Sequence, residues 1–403
     1  MEHGLVTTDS LLKWRDEFPI LQKCNYLINN SLGAMPRGVY DSLKHYADVW
    51  AEHGVSAWGV EWFDLNGKVG DKIAPLMGAP AGSVLVQQNA SIANSIIFSA
   101  MDFSDTRRDK VVVTDMDFPS DYHVLRQWLP DHMRVEMIKT RDGISIDTDE
   151  ILGAIDETTR LVSISHVLFK SAYIMPVKAI VEKAHQVGAE VVLNGYHSVG
   201  IIPVDVTDLN VDYYIGGVLK WMCGGTGGVF LYVRPDLLPK MNPKVTGWFS
   251  QKAPFAFDID NFDRRDDIYR LATGTPGVAS LQAIQPGIEI ITQVGVANIR
   301  EKSIRQTTLL IELADQKGYQ VVSPRQTEFR GGTVTLNPPE SYAVSREMLA
   351  RNIKIDYRAG AGIRIAPHFY NTDEEVHEAI NAIEAILADG SWKQHAQSQD
   401  FVT

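Results

Sequence analysis

Cysteine is nearly absent from this chain: Cys24 and Cys223 are the only two among 403 residues. Two thiols give no disulfide framework and no zinc-ligand spacing. No apolar run approaches the length needed to span a bilayer, so no membrane partner is expected. The opening MEHGLVTTDSLLKWRDEF has no basic stretch followed by an apolar one and does not read as a secretory signal. Basic residues are outnumbered, 38 Lys and Arg against 50 Asp and Glu. The resulting net charge of −12 argues against a nucleic-acid partner. Internal repeats and low-complexity segments are missing too. The cytoplasm is the expected location.

What remains is an ordinary globular composition, 45% hydrophobic and 22% charged, long enough for two domains. Periodicity places strands at 84–88, 110–114, 160–166, 190–193, 213–216 and 229–233. Helices are expected between them, at 90–101, 120–128, 148–154, 177–186 and 235–241. Strands alternating with helices predict a mostly parallel central sheet flanked by helices, an α/β fold. Ahead of it stand a short helix at 11–18, a strand at 25–28 and helices at 37–53 and 60–77. The texture changes after Gly274-Thr275-Pro276-Gly277. Helices at 278–292, 296–317, 345–350 and 373–388 mix there with short strands at 320–322, 332–336, 353–357 and 362–365. This predicts a smaller α+β C-terminal domain. The expected division is an N-terminal segment 1–58 packing on the small domain, a large domain 59–277 and a small domain 278–403. Residues 391–403 read as a polar tail.

Chemistry concentrates in residues 189–235. The apolar run Val191-Val192-Leu193 stops at Asn194-Gly195, and His197 and Ser198 follow. Lys220 comes just after a second apolar run and just before Cys-Gly-Gly-Thr-Gly-Gly. Open α/β sheets bind ligands at the carboxyl ends of their strands. A lysine there is either a solvated surface residue or a nucleophile. Its neighbours Val218, Leu219, Trp221 and Met222 favour a depressed amine pKa and Schiff-base chemistry. Ala90 and Ser91 open a helix, where free amides suit a phosphate, although Ser is also simply a good helix start. Ser165-His166 ends another strand, and His166 reads equally as a structural histidine. Arg364 has the planar fork that grips a carboxylate, or it belongs to a salt bridge of the small domain.

Asn194, His197, Ser198, Gly200 and Lys220 with its glycine-rich turn resemble a known pattern: Asp-x-x-His-Ser/Ala-x-Gly, about two dozen residues, then Lys. It marks the pyridoxal-phosphate (PLP) site of fold-type I enzymes in the class V aminotransferase group, especially the kynureninase-like branch. The resemblance runs from Tyr26 to about Ile386. It implies the PLP-dependent transferase-like fold, with Lys220 as the residue that carries the cofactor and shuttles the Cα proton. By the same likeness Ala90 and Ser91 contact the phosphate, and Phe118 in Asp117-Phe118-Pro119-Ser120-Asp121 stacks on the ring with Asp121 close by. His197 helps fix the cofactor. Asn30, in the turn after the first strand, lies near the substrate carboxylate, which Arg364 clamps. Thr275 reaches the phosphate of a neighbouring subunit, so a homodimer with shared sites is implied. No metal is expected.

Two positions depart from the pattern. Ser250-Gln251 stands where kynureninases have Gly-His, which puts their aryl specificity in doubt. Asn194 stands where the family has the aspartate that keeps the ring nitrogen protonated. The cofactor accepts the electron pair left at Cα, and a protonated ring accepts it better. A neutral amide implies a reaction that tolerates a shallower sink, a slow variant, or PLP binding without turnover. Asn194-Gly195 is also a deamidation-prone dipeptide.

The leading expectation is an enzyme acting on the side chain of an α-amino acid, by Cβ–Cγ hydrolysis or by β-elimination of the C–S lyase type. A class V aminotransferase is the alternative, and a PLP-binding protein with little turnover is the rival from another class. A cysteine desulfurase is disfavoured, because neither cysteine sits on a loop of the small domain. Trp58, Trp62, Trp248, Phe249 and Gln251 are the expected determinants of side-chain specificity.

Overall fold

The computed structural model describes residues 9–396. Thirteen strands form three sheets: β1 (Asn25–Tyr26), β2 (Val84–Gln87), β3 (Lys110–Thr114), β4 (Arg134–Ile138), β5 (Thr159–Ser165), β6 (Glu190–Asn194), β7 (Tyr213–Gly217), β8 (Val229–Val233), β9 (Gln320–Val321), β10 (Val334–Asn337), β11 (Ile353–Lys354), β12 (Asp356–Arg358) and β13 (Gly362–Ile365). The central sheet has the order β2-β8-β7-β6-β5-β3-β4, and only β8 runs antiparallel to its neighbours.

Its strands are apolar at nearly every position because both faces are covered. Val191 and Leu193 enter one core with Val112, Val162, Tyr214 and Phe230. Val192 points the other way and joins Val111, Val113, Leu161, Ile215 and Leu231. The strands of the large domain are thus buried between two helical layers. The register pairs Ser165 with Asn194 and Asn194 with Ile215, so β5 and β6 end level with one another and β7 runs two residues further. This puts the loops after three strands on one rim.

The small sheet has the order β12-β13-β10-β9 and is antiparallel throughout. Its core draws on Leu310 and Ile311 of the helix Val296–Gln316 and on Val376, Ile380 and Ile383 of Asp373–Asp389. The last helix starts at a full capping box, Thr372 with Glu375. Helices Val278–Ala283 and Gln285–Val294 bury Leu281, Ile284, Ile288 and Ile291 in the large core instead. Near the N-terminus, β1 pairs with β11, and Arg15 forms an ion pair with Glu375 of the helix Asp373–Asp389.

Several expected elements differ. Strand β4 carries the alternating polar residues Arg134 and Glu136 at the sheet edge, so it shows no apolar run to read. The helix expected at 235–241 is a turn with a single 3-10 turn, Leu238–Lys240, because Pro239 cannot donate to a helix. The helix at 60–77 is broken into a π turn (Trp58–Trp62), an α-helix (Leu65–Ile73) and a 3-10 turn (Ala74–Met77). The helix at 11–18 is the 3-10 segment Ser10–Glu17. The strand at 353–357 divides between two sheets as β11 and β12. The polar tail begins as a 3-10 turn, Ser391–His395, and its remainder lies outside the described residues.

Candidate active site

A cleft of about 360 Å³ opens at the rim where β5, β6 and β7 end. It falls within the usual range for small-ligand sites, roughly 300–1,000 Å³. Asn30, Ala90, Ser91, Phe118, Asp121, Asn194, His197, Lys220 and Arg364 all line it. Nine residues spread over 335 positions of sequence are thereby brought to one place.

Lys220 follows β7 and is partly buried. Its Nζ shares a hydrogen bond with Nε2 of His197, 2.6 Å away, and lies 5.4 Å from the centre of the Tyr196 ring. Loss of solvent, followed by the positive charge of Arg364, pulls the amine down to about 7. Burial, followed by the charges of Lys220, Arg364 and Arg358, holds the His197 imidazole neutral, well below its ordinary value. The amine thus reaches its nucleophilic form near neutral pH.

Close packing sets this geometry. A Cβ on Gly195 would lie 2.2 Å from the Tyr214 ring, so only glycine lets the Asn194–His197 turn settle there. Gly33 donates its N–H to the carbonyl of Leu219, and a Cβ on it would sit 2.2 Å from the Lys220 carbonyl. That contact brings the N-terminal turn, and Asn30 with it, onto the lysine loop.

Asp117 carries the segment after β3. Its carboxylate accepts from the amide and hydroxyl of Thr114 and from the amide of Ser165, at 2.6–2.9 Å. This ties the ends of β3 and β5 together and leaves Phe118 standing at the cleft with 45% of its surface exposed. Pro119 then starts the helix Pro119–Trp128, whose first turn buries Asp121. On the opposite strand of the motif, Asn89 caps the helix Ala90–Ala100 by accepting from the Ile92 amide. The remaining first-turn amides have no intrahelical partner, and Ala90 and Ser91 border the cleft.

Arg364 on β13 is buried against Asp356 on β12, its cross-strand neighbour. Nε donates to Oδ1 of Asp356 at 2.7 Å, Nη2 donates to Oδ2, and Nη1 donates to the Phe169 carbonyl at 2.6 Å. A guanidinium has five N–H groups, so these three bonds leave one further N–H on each Nη. With its oxygen turned to the guanidinium, the buried Asn30 amide lies within hydrogen-bond distance of all three guanidinium nitrogens, 3.1 Å from Nε and 3.3 Å from each Nη.

Other expected residues lie elsewhere. Thr275 is exposed and stands outside the cleft of its own chain. His166 bonds the Tyr214 hydroxyl at 2.7 Å and is held at about 4 by burial, so it belongs to the packing beneath the rim. Trp58, Trp62, Trp248 and Phe249 do not line the cleft; they form an aromatic cluster with Phe63 and Phe255. Ser250 bonds Thr246 and Gly247, and Gln251 bonds its own loop. Sequence reading missed Tyr196, Asn94 and Asp356. Tyr196 sits inside the recognised turn, whereas Asn94 and Asp356 gave no signal because their roles are to hold Asp121 and Arg364.

The Asn194-Gly195 dipeptide is not set up to deamidate. Cyclisation needs the Gly195 nitrogen to attack the Asn194 side chain. That N–H instead donates to the Ile215 carbonyl at 2.6 Å, within a buried turn.

These features fit PLP: a lysine with a depressed amine, an exposed aromatic face, a helix start free for a phosphate and a carboxylate at the floor. Comparison with known proteins agrees. The chain is 29% identical to kynureninase of Bacillus thuringiensis subsp. konkukian (strain 97-27), over 98% of this chain and 95% of that protein. It is 30% identical to kynureninase of Pseudomonas fluorescens, over 97% and 96%. Its fold is similar to apo cysteine desulfurase from Thermococcus onnurineus NA1, with a TM-score of 0.83, 20% identity and coverage of 94% and 98%. It is also similar to the cystine C-S lyase C-DES in complex with cysteine persulfide, with a TM-score of 0.81, 18% identity and coverage of 91% and 98%. The sequence profile described as Aminotransferase class-V matches residues 25–378. With that match spanning most of its length, the chain belongs to the class V aminotransferase family of PLP-dependent enzymes.

Proposed function

We propose that this enzyme acts on the side chain of an α-amino acid, by Cβ–Cγ hydrolysis or β-elimination, with Lys220 as the catalytic residue. The observation that carries the reading is the Lys220 amine, held near neutral pKa at the mouth of a cleft that also presents Arg364. The kynureninase relatives, matched over nearly their full length, favour side-chain chemistry over transamination.

Ala90 and Ser91 would hold the cofactor phosphate, Phe118 would face the ring, and His197, Asn194 and Asp121 would border it. When bound, the cofactor supplies the electron sink for bond breaking at Cα. Arg364, held by Asp356 and bordered by Asn30, would turn the remaining N–H of each Nη to the substrate carboxylate. The Lys220 amine would take the Cα proton, and with a pKa of about 7 it could accept and return it near neutrality. The sulfur chemistry of a desulfurase has no support here. Cys223 is buried and pushed up to about 12, and Cys24 is raised by its own burial.

A homodimer is part of the same reading. Thr275 is exposed and does not line its own cleft, and Trp248, Phe255, Phe257 and Phe262 leave a broad apolar surface exposed. We place the enzyme in the cytoplasm, where two unpaired thiols stay reduced.

The test is a panel of amino acids offered to the PLP-loaded protein, with products read by mass spectrometry. Alanine marks Cβ–Cγ hydrolysis and pyruvate marks β-elimination. An amino-group transfer product with neither of these would replace this reading with transamination.

A further inference from the structure

Replacement of the family aspartate by Asn194 does not leave the floor of the cleft without charge. Nδ2 of Asn194 donates to Oδ2 of Asp121 at 2.5 Å. Oδ1 of Asn194 accepts from the backbone amide of Tyr196 at 2.9 Å. The backbone donor fixes which end of the amide faces which way, so the nitrogen must meet the carboxylate. Asn94 donates to the other oxygen of Asp121 at 2.8 Å. Two neutral amides therefore hold one buried carboxylate, 8% exposed, at the cavity wall.

That carboxylate forms no ion pair among the described residues, and the Lys220 charge acts on it less than its own burial does. Among the described residues no ion pair joins it to Lys220, which bonds His197, and Arg364 is paired with Asp356. The nearest like charge is Asp117, which is occupied by Thr114 and Ser165. A buried carboxylate without a counter-ion is costly, and proteins retain such groups where a cation will bind. Burial raises Asp121 to about 6, so it is ionised at neutral pH but not deeply so. A bound cation would complete its set of partners.

The cofactor offers one candidate. In pyridoxal phosphate the ring nitrogen lies para to the aldehyde carbon. If Lys220 takes the aldehyde, the nitrogen is at the end of the ring farthest from the lysine. Among the described residues, Asp121 is the one carboxylate that lines the cleft. We propose that Asp121 is the counter-ion of the protonated ring nitrogen, and that Asn194 and Asn94 are the positioning residues that aim it. The proton sits on the nitrogen and the negative charge stays on Asp121. On this account Asn194 moves the charge one residue outward without removing it, and the shallow-sink expectation does not hold.

This inference rests on the reading of the cleft as a PLP site, and one experiment separates the two. Wild-type, D121N, N194D and N194A proteins are loaded with PLP labelled with 15N in the ring. Loading on Lys220 is measured by peptide mass, and the ring nitrogen by its 15N chemical shift. Wild type is expected in the protonated range at neutral pH. D121N, an isosteric change, should load Lys220 yet show the shift of unprotonated pyridine. N194D should stay in the protonated range, because the charge it adds is already supplied. N194A should lose the ring proton at a lower pH than wild type. Loaded D121N with an unchanged 15N shift, or loaded wild type in the unprotonated range, overturns this inference alone. Wild type that places no PLP on Lys220 overturns the underlying reading with it.

Discussion

Nζ of Lys220 and Nε2 of His197 lie 2.6 Å apart, and the two residues come from loops after adjacent parallel strands. Neither has a carboxylate within ion-pairing distance among the described residues. The amine is therefore drawn toward its neutral form by its surroundings, with desolvation first and the charge of Arg364 second. A histidine that burial also keeps neutral can share a hydrogen bond with the amine without adding repulsion.

The first prediction is a pH profile. Covalent capture of PLP by the apoprotein needs the unprotonated amine, so its rate should rise to a plateau just above about pH 7. The measurement is the rate of absorbance change on mixing, across pH 5.5 to about 10, a range chosen to bracket the ordinary lysine value. A rate still climbing at pH 9 would mean an ordinary exposed lysine. Stability follows the same sign. The unfolded lysine keeps its proton up to about its ordinary 10.5, while the folded one loses it near 7. The folded state binds fewer protons between these values, so this group's contribution to apoprotein stability rises with pH across that window.

Arg364→Lys should raise KM more than it lowers kcat. A lysine cannot reproduce an N–H on each of two nitrogens, and losing one charge-assisted hydrogen bond costs about 1.5–3 kcal/mol, roughly 10- to 150-fold in substrate affinity. Asp356→Asn should raise KM as well, but should also lower thermal stability. It leaves a buried guanidinium without its anion, an imbalance of about 3–5 kcal/mol when one partner of a buried pair is lost. Equal KM values in wild type and R364K would remove Arg364 from carboxylate binding.

Phe118→Ala should weaken PLP binding with little change in melting temperature. The ring is half exposed at the cleft and contributes modestly to the core. Loss of an aromatic face costs about 0.5–1.5 kcal/mol beyond area burial, roughly 2- to 12-fold in Kd. Fluorescence titration of the apoprotein measures it. An unchanged Kd would assign Phe118 to its edge-on packing with Phe169 alone.

Asn194 should survive prolonged incubation at mildly alkaline pH. Its neighbour's N–H is committed to the Ile215 carbonyl, and reaching the cyclic intermediate would break that bond in a buried turn. Peptide mapping after several days checks this. Conversion of Asn194 to aspartate at the rate of an unfolded Asn-Gly peptide would contradict the rigidity described for the turn.

Much of this site was legible because its residues fall at the ends of strongly apolar strands. Val191-Val192-Leu193 announces β6, and its end fixes where Asn194 and His197 stand. Phe118, Asp121 and Arg364 were found through short motifs that need fixed spacing. What the sequence concealed are contacts made across long separations. Asn94 reaches Asp121 through helix packing, Asn30 meets Arg364 only because Gly33 abuts the lysine loop, and Asp356 reads as one more acidic residue. The aromatic residues show the same thing: Trp58 and Phe249 are apolar enough to line a pocket, and within this chain they pack against each other. Strand β4 was hidden for a different reason, since an edge strand need not be apolar on both faces.

The central claim is a covalent bond between Nζ of Lys220 and the cofactor. Protein purified in the presence of PLP, reduced with borohydride and digested, tests it most directly. The account predicts that the peptide containing Lys220 carries the mass of the reduced cofactor, and that Lys220→Ala protein carries it on no peptide. Label found on a different lysine, or on none in the wild type, would contradict it.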